Sequence, residues 1–422
     1  MLQLATIRNQ AEWVKERLSF RNFRETGLVD EIIALDEERK KLTFQFEETK
    51  AKINASSKEI GMLMSKGKKE EAETKKKEVE AFKSNLLPVQ EKLGRVEQEL
   101  NDLLVRLPNL PSEKVPKGKT PEDNEVVRTG GTKPSLYSGA VPHWELAKKY
   151  ELIDFELGNK LTGSGFPVYK GKGAKLQRAL IQYFLEYNTA AGYTEYLPPY
   201  MVNETTAYGT GQLPDKEGQM YYVNEDKLYL IPTAEVPVTN IYRDVILKDS
   251  DLPTKMTAYT PCFRREAGSY GKDVRGLNRV HQFDKVEIVQ LVHPEKSYEV
   301  LEEMVQHIEK LIQSLELHYR ILRLCGGDMG FTSALTYDFE VYSAAQEKWL
   351  EVSSVSNFET FQTNRMKIRF KDEKGKPQLV HSLNGSSLAL PRILAALLEN
   401  NQNENGILLP LSIQGYFGSE MI

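Results

Sequence analysis

The chain has 422 residues, a formal net charge of −4, 40% hydrophobic residues and 27% charged ones. That length admits two or three domains, and the composition suits a globular chain carrying one unusually polar segment. No overall basic excess marks a nucleic-acid partner, which leaves only a local patch for such a role. No run approaches the ~18 apolar residues of a membrane span. Two cysteines, Cys262 and Cys325, lie outside any CxxC or Cys/His cluster. They argue against a disulfide framework or a structural zinc site and read as buried thiols in a reducing compartment. The opening "MLQLATIRNQAEWVKERLSF" reads as an amphipathic helix, not a signal peptide. A cytoplasmic location without membrane attachment is expected.

From about residue 28 to 105 the hydrophobic pattern is regular. Ile32, Leu35, Leu42, Phe46, Ile53, Ile60 and Leu63 step by threes and fours, with Arg39, Thr49 and Ser56 at the intervening positions. Val79, Phe82, Leu86, Val89, Leu93, Val96, Leu100 and Leu103 resume the pattern without a gap. A spacing of about 3.5 residues predicts helices meeting along a narrow seam. The interruption "SKGKKEEAETKKK" predicts one antiparallel hairpin with a charged tip over 65–77. Each leg would extend on the order of 50 Å at 1.5 Å per residue, so the segment is an arm. Pro88, inside the second leg, is expected to bend the helix without breaking it. The pattern alone also fits a dimerising coiled coil or a plain spacer. The tip lysines, interspersed with Glu70, Glu71 and Glu73, also fit a solvated loop.

The periodicity stops at "RLPNLPSEKVPKGKTPEDNE", where prolines, charges and the pair Gly130–Gly131 predict a linker or surface loop. Beyond residue 140, helical stretches such as "AKLQRALIQYFLEYNTAAG" and "SYEVLEEMVQHIEKLIQSLEL" alternate with strands such as "YDFEVYSAAQEKWLEVSSVSNF". The expected class is α+β: an antiparallel C-terminal sheet flanked by helices, after an N-terminal helical hairpin. The expected division is 1–110 for the helical domain and 111–422 for the catalytic one. Neither GxGxxG nor GxxxxGK[ST] occurs, so no Rossmann or P-loop site is indicated.

The stretch "PCFRREAGSYGKDVRGLNRVHQFDKVEI" (261–288) reads as two strands joined by a glycine-rich basic loop. Alternate strand residues share a face, which groups Arg264 with Glu266, and Phe283 with Lys285 and Glu287. Charges facing a core would cost several kcal/mol each unless paired. Either they form a structural network or the face is a polar cleft. Phe283 offers a stacking surface, and Arg264 a planar fork for phosphate oxygens. In "VHSLNGSSLALPRILAALLEN" Arg392 opens an apolar helix, with Pro391 in its first turn and Ser386 or Ser387 near the cap. An arginine there opposes the macrodipole unless an anion shares the site.

These residues carry a resemblance. Phe263, Arg264, Glu266, Arg279 and Phe283 are similar to motif 2 of class II aminoacyl-tRNA synthetases. Arg392 resembles the motif 3 arginine, with Pro391 where glycine is often found, and "AGYTEYLPPYMV" resembles motif 1. Across essentially the whole chain, "PTAEVP", "HQFDKVE", "EVSSVSNFETFQTNRMKIRF" and "HSLNGSSLA" resemble the seryl-tRNA synthetase family. One departure is Gly165, where an arginine usually precedes the residue matching Phe166.

The resemblance implies activation of L-serine by ATP to seryl-adenylate, then transfer to the 3′ end of serine tRNA, with selenocysteine tRNA left open as a second acceptor. It implies catalytic Arg264 and Arg392, and an ATP site of Arg264, Arg265, Glu266, Phe283, Glu351, Val352, Ser353, Ser354 and Arg392. Glu351 and Ser354 would hold Mg²⁺ through ATP. Serine would contact Thr233, Ala234, Glu235, Arg264, Glu287, Asn384 and Ser386. Serine tRNA would meet Lys66, Lys68, Lys69 and Lys75 on the arm and Lys272 and Arg275 in the loop. A homodimer is implied. The ionised groups of the sheet face would stay unneutralised by one another until ATP and serine complete the charge balance. Rival readings are a paralogue charging a carrier protein, a class II synthetase for another amino acid, and a catalytically dead binding module.

Overall fold

The computed structural model describes residues 1–215, 217–266 and 275–422. The chain forms two compact units, one of residues 2–19 and 23–108, the other of residue 1, residues 20–22 and residues 109–422.

In the first unit, two short helices (Leu4–Asn9, Ala11–Phe20) precede two long ones, α1 (Leu28–Ser65) and α2 (Lys69–Leu104). Every expected seam residue, the polar Arg39, Thr49 and Ser56 included, is buried or half-buried, whereas Phe44, Met62 and Leu87 off the seam are exposed. Ion pairs Lys92–Glu38 (2.6 Å) and Lys75–Glu59 (3.4 Å) tie the legs in antiparallel register. The tip is smaller than expected. Only Lys66–Lys68 turn, around Gly67 at φ +75°, and 69–77 already belong to α2. Glu70 and Glu71 suit the positive end of a helix, and Ala72 and Val79 keep the seam, so a run that looks like loop by charge is helix by propensity. α2 passes Pro88 without a break. Asp36, off the expected seam, is buried and takes Arg8 (3.0 Å), Arg39 (2.7 Å) and Lys40 (2.8 Å). Burial opposes its ionisation, but the hydrogen bonds from Lys40 and Arg39 prevail and hold its carboxyl below the usual range.

The second unit is built on an eight-stranded sheet. In chain order its strands are β1 (Glu125–Gly130), β2 (Thr194–Glu195), β3 (Thr254–Phe263), β4 (Gln282–Val292), β5 (Tyr319–Arg323), β6 (Leu335–Ser343), β7 (Lys348–Glu359) and β8 (His381–Ala389). Their spatial order is β1-β5-β6-β7-β8-β4-β3-β2, antiparallel throughout except for β2 beside β3. Helices α4 (Gly171–Ala190), α6 (Ser297–Ser314) and α7 (Leu390–Asn400) pack one side, joining Leu180, Phe184, Ile308 and Leu394 to Val286, Ile288 and Val355 of the strands in one core. Two shorter helices are α3 (His143–Lys149) and α5 (Glu235–Asn240), the latter starting at the cavity.

The expected linker is largely structured. Leu107, Leu110 and Val115 are buried, Asn109 donates Nδ2 to the carbonyls of Thr332 (2.9 Å) and Phe358 (2.8 Å), and 125–130 form edge strand β1. An edge strand with both faces partly wet carries no strict alternation, which is why pattern reading misses it. Ser386 and Ser387 lie in β8, and the residue before α7 is Ala389, with no side-chain cap.

Candidate active site

A cavity of about 500 Å³ opens on the sheet face opposite those helices, within the range of about 300–1,000 Å³ typical of ligand sites. Alternation along the strands puts it there. On β4, Val286 and Ile288 face the core while Phe283, Lys285 and Glu287 line the cavity. Arg264 sits at the mouth beyond the last β3 residue, its N–H still donating to the His281 carbonyl (2.8 Å). The expected strand stops at Phe263, short of both Arg264 and Glu266, and Glu266 lies in a left-handed conformation at φ +49°.

Glu351 and Ser354 would point to opposite faces of a regular strand. A bulge brings both to the cavity: Phe339 pairs with Ser353 and Glu340 with Glu351, leaving Val352 as the extra residue. Between β4 and β8 a second irregularity, from Lys285↔Ala389 to Glu287↔Ser386, lets Asn384, Ser386 and Arg392 line the same space.

The floor is polar and buried. Glu287, 1% exposed, is paired with Lys285 at 2.6 Å and accepts the Thr233 hydroxyl at 3.1 Å. Thr233 Oγ1 also accepts from the Glu235 N–H (3.2 Å), so it braces the start of α5 while facing the cavity. Glu235 accepts Gln362 Nε2 at 2.5 Å. Burial, reinforced by the Glu287 charge, pushes its carboxyl up to about 7, against hydrogen bonds from Gln362 and Asn384.

At the mouth, the Arg264 guanidinium lies 5.2 Å from the Phe283 ring centroid and donates Nε to the Pro232 carbonyl (3.3 Å). On the far lip Arg392 donates Nη1 to the Glu351 carbonyl (2.8 Å) and Nε to the Asn278 carbonyl (3.1 Å). Beside them burial, then the Glu351 charge, hold the Asp338 carboxyl well above its usual range; Asp338 stands opposite Ser354, and its buried Oδ1 has no hydrogen-bond partner among the described residues.

One expectation is overturned. The ionised groups do neutralise one another in large part: Lys285–Glu287, Arg279–Glu266 (2.6 Å) and Arg392–Glu351 (3.7 Å) are ion pairs. At the buried Lys285–Glu287 pair, low dielectric makes unpaired charge too costly to leave standing. Among the described residues only Arg264 of these cations has no carboxylate partner.

Thirteen of the expected ATP and serine residues therefore line one cavity: Thr233, Glu235, Arg264, Glu266, Phe283, Glu287, Glu351, Val352, Ser353, Ser354, Asn384, Ser386 and Arg392. Two expected residues do not. Ala234 is buried in a separate apolar cluster with Val238 and Met256. Arg265, beyond the end of β3, turns to the Tyr221 ring, 6.0 Å away. Arg275 lies over the Trp144 ring (4.6 Å) beside Glu145 (3.4 Å), and Lys272 falls outside the described residues. On the hairpin, Lys68 pairs with Glu71 (2.8 Å) and Lys75 with Glu78 (2.8 Å) and Glu59 (3.4 Å). Lys66 caps the end of α1 and Lys69 begins α2.

Sequence reading missed Gln212, Gln219 and Asn278 in the lining; no local signal marks them. The Gly165 departure has a local cause: φ is +85° and a Cβ would meet the His281 ring at 2.3 Å, beside the Phe166–His281 stack. Any side chain is strained there.

Comparison with known proteins bears on this geometry. Residues 220–401 match the family described as tRNA synthetase class II core domain (G, H, P, S and T). Residues 1–111 match the seryl-tRNA synthetase N-terminal domain. The core match and the sheet-borne cavity define a class II aminoacyl-tRNA synthetase. The chain is 50% identical over 420 residues to the serine–tRNA ligase of Salinibacter ruber, covering 99% of this chain and 98% of that protein. The seryl-tRNA synthetase of Pyrococcus horikoshii, solved with ATP, superposes with a TM-score of 0.90 at 33% identity, covering 100% and 99% of the two chains. The cytoplasmic serine–tRNA ligase of Naegleria fowleri, solved with AMP, superposes with a TM-score of 0.85 at 25% identity, covering 100% and 98%. The chain belongs to the serine–tRNA ligase family.

Proposed function

We propose that the cavity joins serine to ATP and then to tRNA. A serine carboxylate oxygen attacks the α-phosphorus; the bond to the bridging oxygen breaks, and pyrophosphate leaves. A ribose hydroxyl of the terminal adenosine then attacks the acyl carbon and AMP leaves. Such chemistry needs positioning and charge neutralisation more than a covalent protein group. Arg264, the cavity cation without a carboxylate partner among the described residues, bridges the α-phosphate and the serine carboxylate. Arg392 holds the γ-phosphate once Glu351 releases it. Phe283 stacks on adenine, with Glu266 near its exocyclic amine.

The observation that carries this reading is the buried floor of Thr233, Glu235, Glu287, Asn384 and Ser386 beneath Arg264. A floor of polar groups suits a small hydroxylated amino acid and disfavours alanine, whose methyl group offers them no hydrogen bond. Glu351 and Ser354 offer oxygen donors suited to Mg²⁺ shared with substrate phosphates. Bound there, Mg²⁺ would neutralise phosphate charge.

Division into a helical domain (1–110) and a catalytic domain (111–422) follows the same reading, with Lys66, Lys68, Lys69 and Lys75 as phosphate contacts for serine tRNA on the hairpin. Exposed Leu197 and Met201 near edge strand β2 support a second copy docking there as a homodimer. Two buried free thiols, Cys262 and Cys325, support a reducing cytoplasm. No helix among the described residues is long and apolar enough to cross a membrane. Pyrophosphate exchange run side by side with serine, alanine, glycine and threonine tests the reading. Serine alone should support rapid exchange; equal rates with alanine would overturn it.

A further inference from the structure

Behind the cavity lies a buried pair that no motif contains. His143 opens α3 and Glu399 lies near the end of α7, and both are 0% exposed. Their Nδ1 and Oε1 atoms are 2.6 Å apart, and the same oxygen accepts the His143 backbone N–H at 2.9 Å. The other ring nitrogen, Nε2, accepts the backbone N–H of Leu277 at 2.8 Å. A nitrogen that accepts carries no proton, so the ring is neutral with its hydrogen on Nδ1, directed at the carboxylate. The preceding Gly276 has φ +67°, and a Cβ there would meet Nε2 at 2.2 Å. The backbone at Gly276 therefore lies against the ring with no room for a side chain.

A second arm reaches the same carboxylate. Asn278 donates Nδ2 to Gln346 (2.9 Å), and Gln346 donates Nε2 to Glu399 (2.8 Å). Asn278 is also the residue whose carbonyl receives Arg392 Nε. Arg392 and Glu399 ride on one helix, seven positions apart, hence about two turns. The hydrogen bonds thus close a circuit: from Arg392 along α7 to Glu399, through His143 to Leu277, and from Asn278 back to Arg392.

We propose that His143 and Glu399 are positioning residues that clamp the returning stem of the 264–281 connection to the helix bearing Arg392, and so set where that guanidinium meets the ATP phosphates. The inference rests on the reading of Arg392 as a phosphate ligand. Without the ring acceptor, the buried Leu277 N–H loses its partner, and the stem with the Asn278 carbonyl shifts. Arg392 would then be misplaced by a fraction of an ångström or more.

The test is steady-state pyrophosphate exchange on the full chain with His143→Leu, His143→Gln, Arg392→Ala and the double variant. Leucine removes the acceptor; glutamine restores an oxygen near the Nε2 position. His143→Leu should raise the KM for ATP by about tenfold and leave the KM for serine within about twofold. His143→Gln should recover to within about threefold of the parent. In the Arg392→Ala background His143→Leu should add less than about twofold, because both act through one contact. If His143→Leu does not fold, Gly276→Ala strikes the same contact from the loop side and should give the same ATP-selective rise. An unchanged KM for ATP, equal increases for ATP and serine, or full additivity with Arg392→Ala would overturn the clamp. An Arg392→Ala variant with a normal KM for ATP would instead overturn the phosphate-ligand reading.

Discussion

The hairpin and the cavity both carry many charges, and they handle them in opposite ways. On the hairpin tip partners come mostly from the same leg, Lys68 with Glu71 and Lys75 with Glu78, each three residues apart, while Lys75 also reaches Glu59 of the other leg. In the cavity partners come from separate strands and loops, as in Arg279–Glu266 and Arg392–Glu351, and the pair Lys285–Glu287 is buried. Exposed pairs of the first kind contribute little to stability and exchange readily for an external anion. Of the cavity pairs only Lys285–Glu287 is buried, and a charge there is costly whenever left alone, so a ligand that displaces one must supply a replacement. The first region is suited to long-range attraction of a polyanion, the second to recognition of one small arrangement of charge.

The largest effect that would break this contrast lies at Arg264. Arg264→Ala is expected to lower serine-dependent pyrophosphate exchange by about 100-fold or more; near-normal exchange would remove its role. Next, replacing residues 41–90 with a short glycine–serine turn should abolish tRNA charging while leaving exchange within about twofold, since the two regions are distant in function. Loss of both would show that the hairpin is structural.

The buried acid gives a pH signature. Glu235 keeps a proton up to about pH 7 because the fold disfavours its charge. Serine brings an ammonium, which favours the carboxylate and expels that proton, so serine affinity should fall as pH drops through 7. Calorimetry at pH 6.5 in two buffers of different ionisation enthalpy should show proton release that vanishes by about pH 8.5 and in Glu235→Gln. Uptake instead of release would reverse the assignment. The smallest effect belongs to the tip: Lys68→Ala and Lys75→Ala should each reduce the salt dependence of tRNA binding by about one phosphate contact, with the melting temperature unchanged.

Particular residues show what could be read in advance. The seam from Ile32 to Leu63 and from Val79 to Leu103 was legible because a helix repeats its environment every few residues. Phe283, Lys285 and Glu287 were legible as one face because a strand alternates. Glu351 and Ser354 were named by resemblance, but only the bulge at Val352 turns both into the cavity. Arg265 and Ala234 sit next to true lining residues in sequence and point elsewhere. His143 was invisible, since nothing near "VPHWEL" signals a partner 256 residues away.

By itself, then, the amino-acid order determined the helical hairpin, the alternating strands, and which residue types carry the chemistry, because those properties arise from repeats and motifs a few residues long. Tertiary structure alone decided which charges neutralise one another, where two strand irregularities aim their side chains, and how a histidine and a glutamate hold a distant loop. Those depend on distances between segments, and short-range pattern carries no information about them.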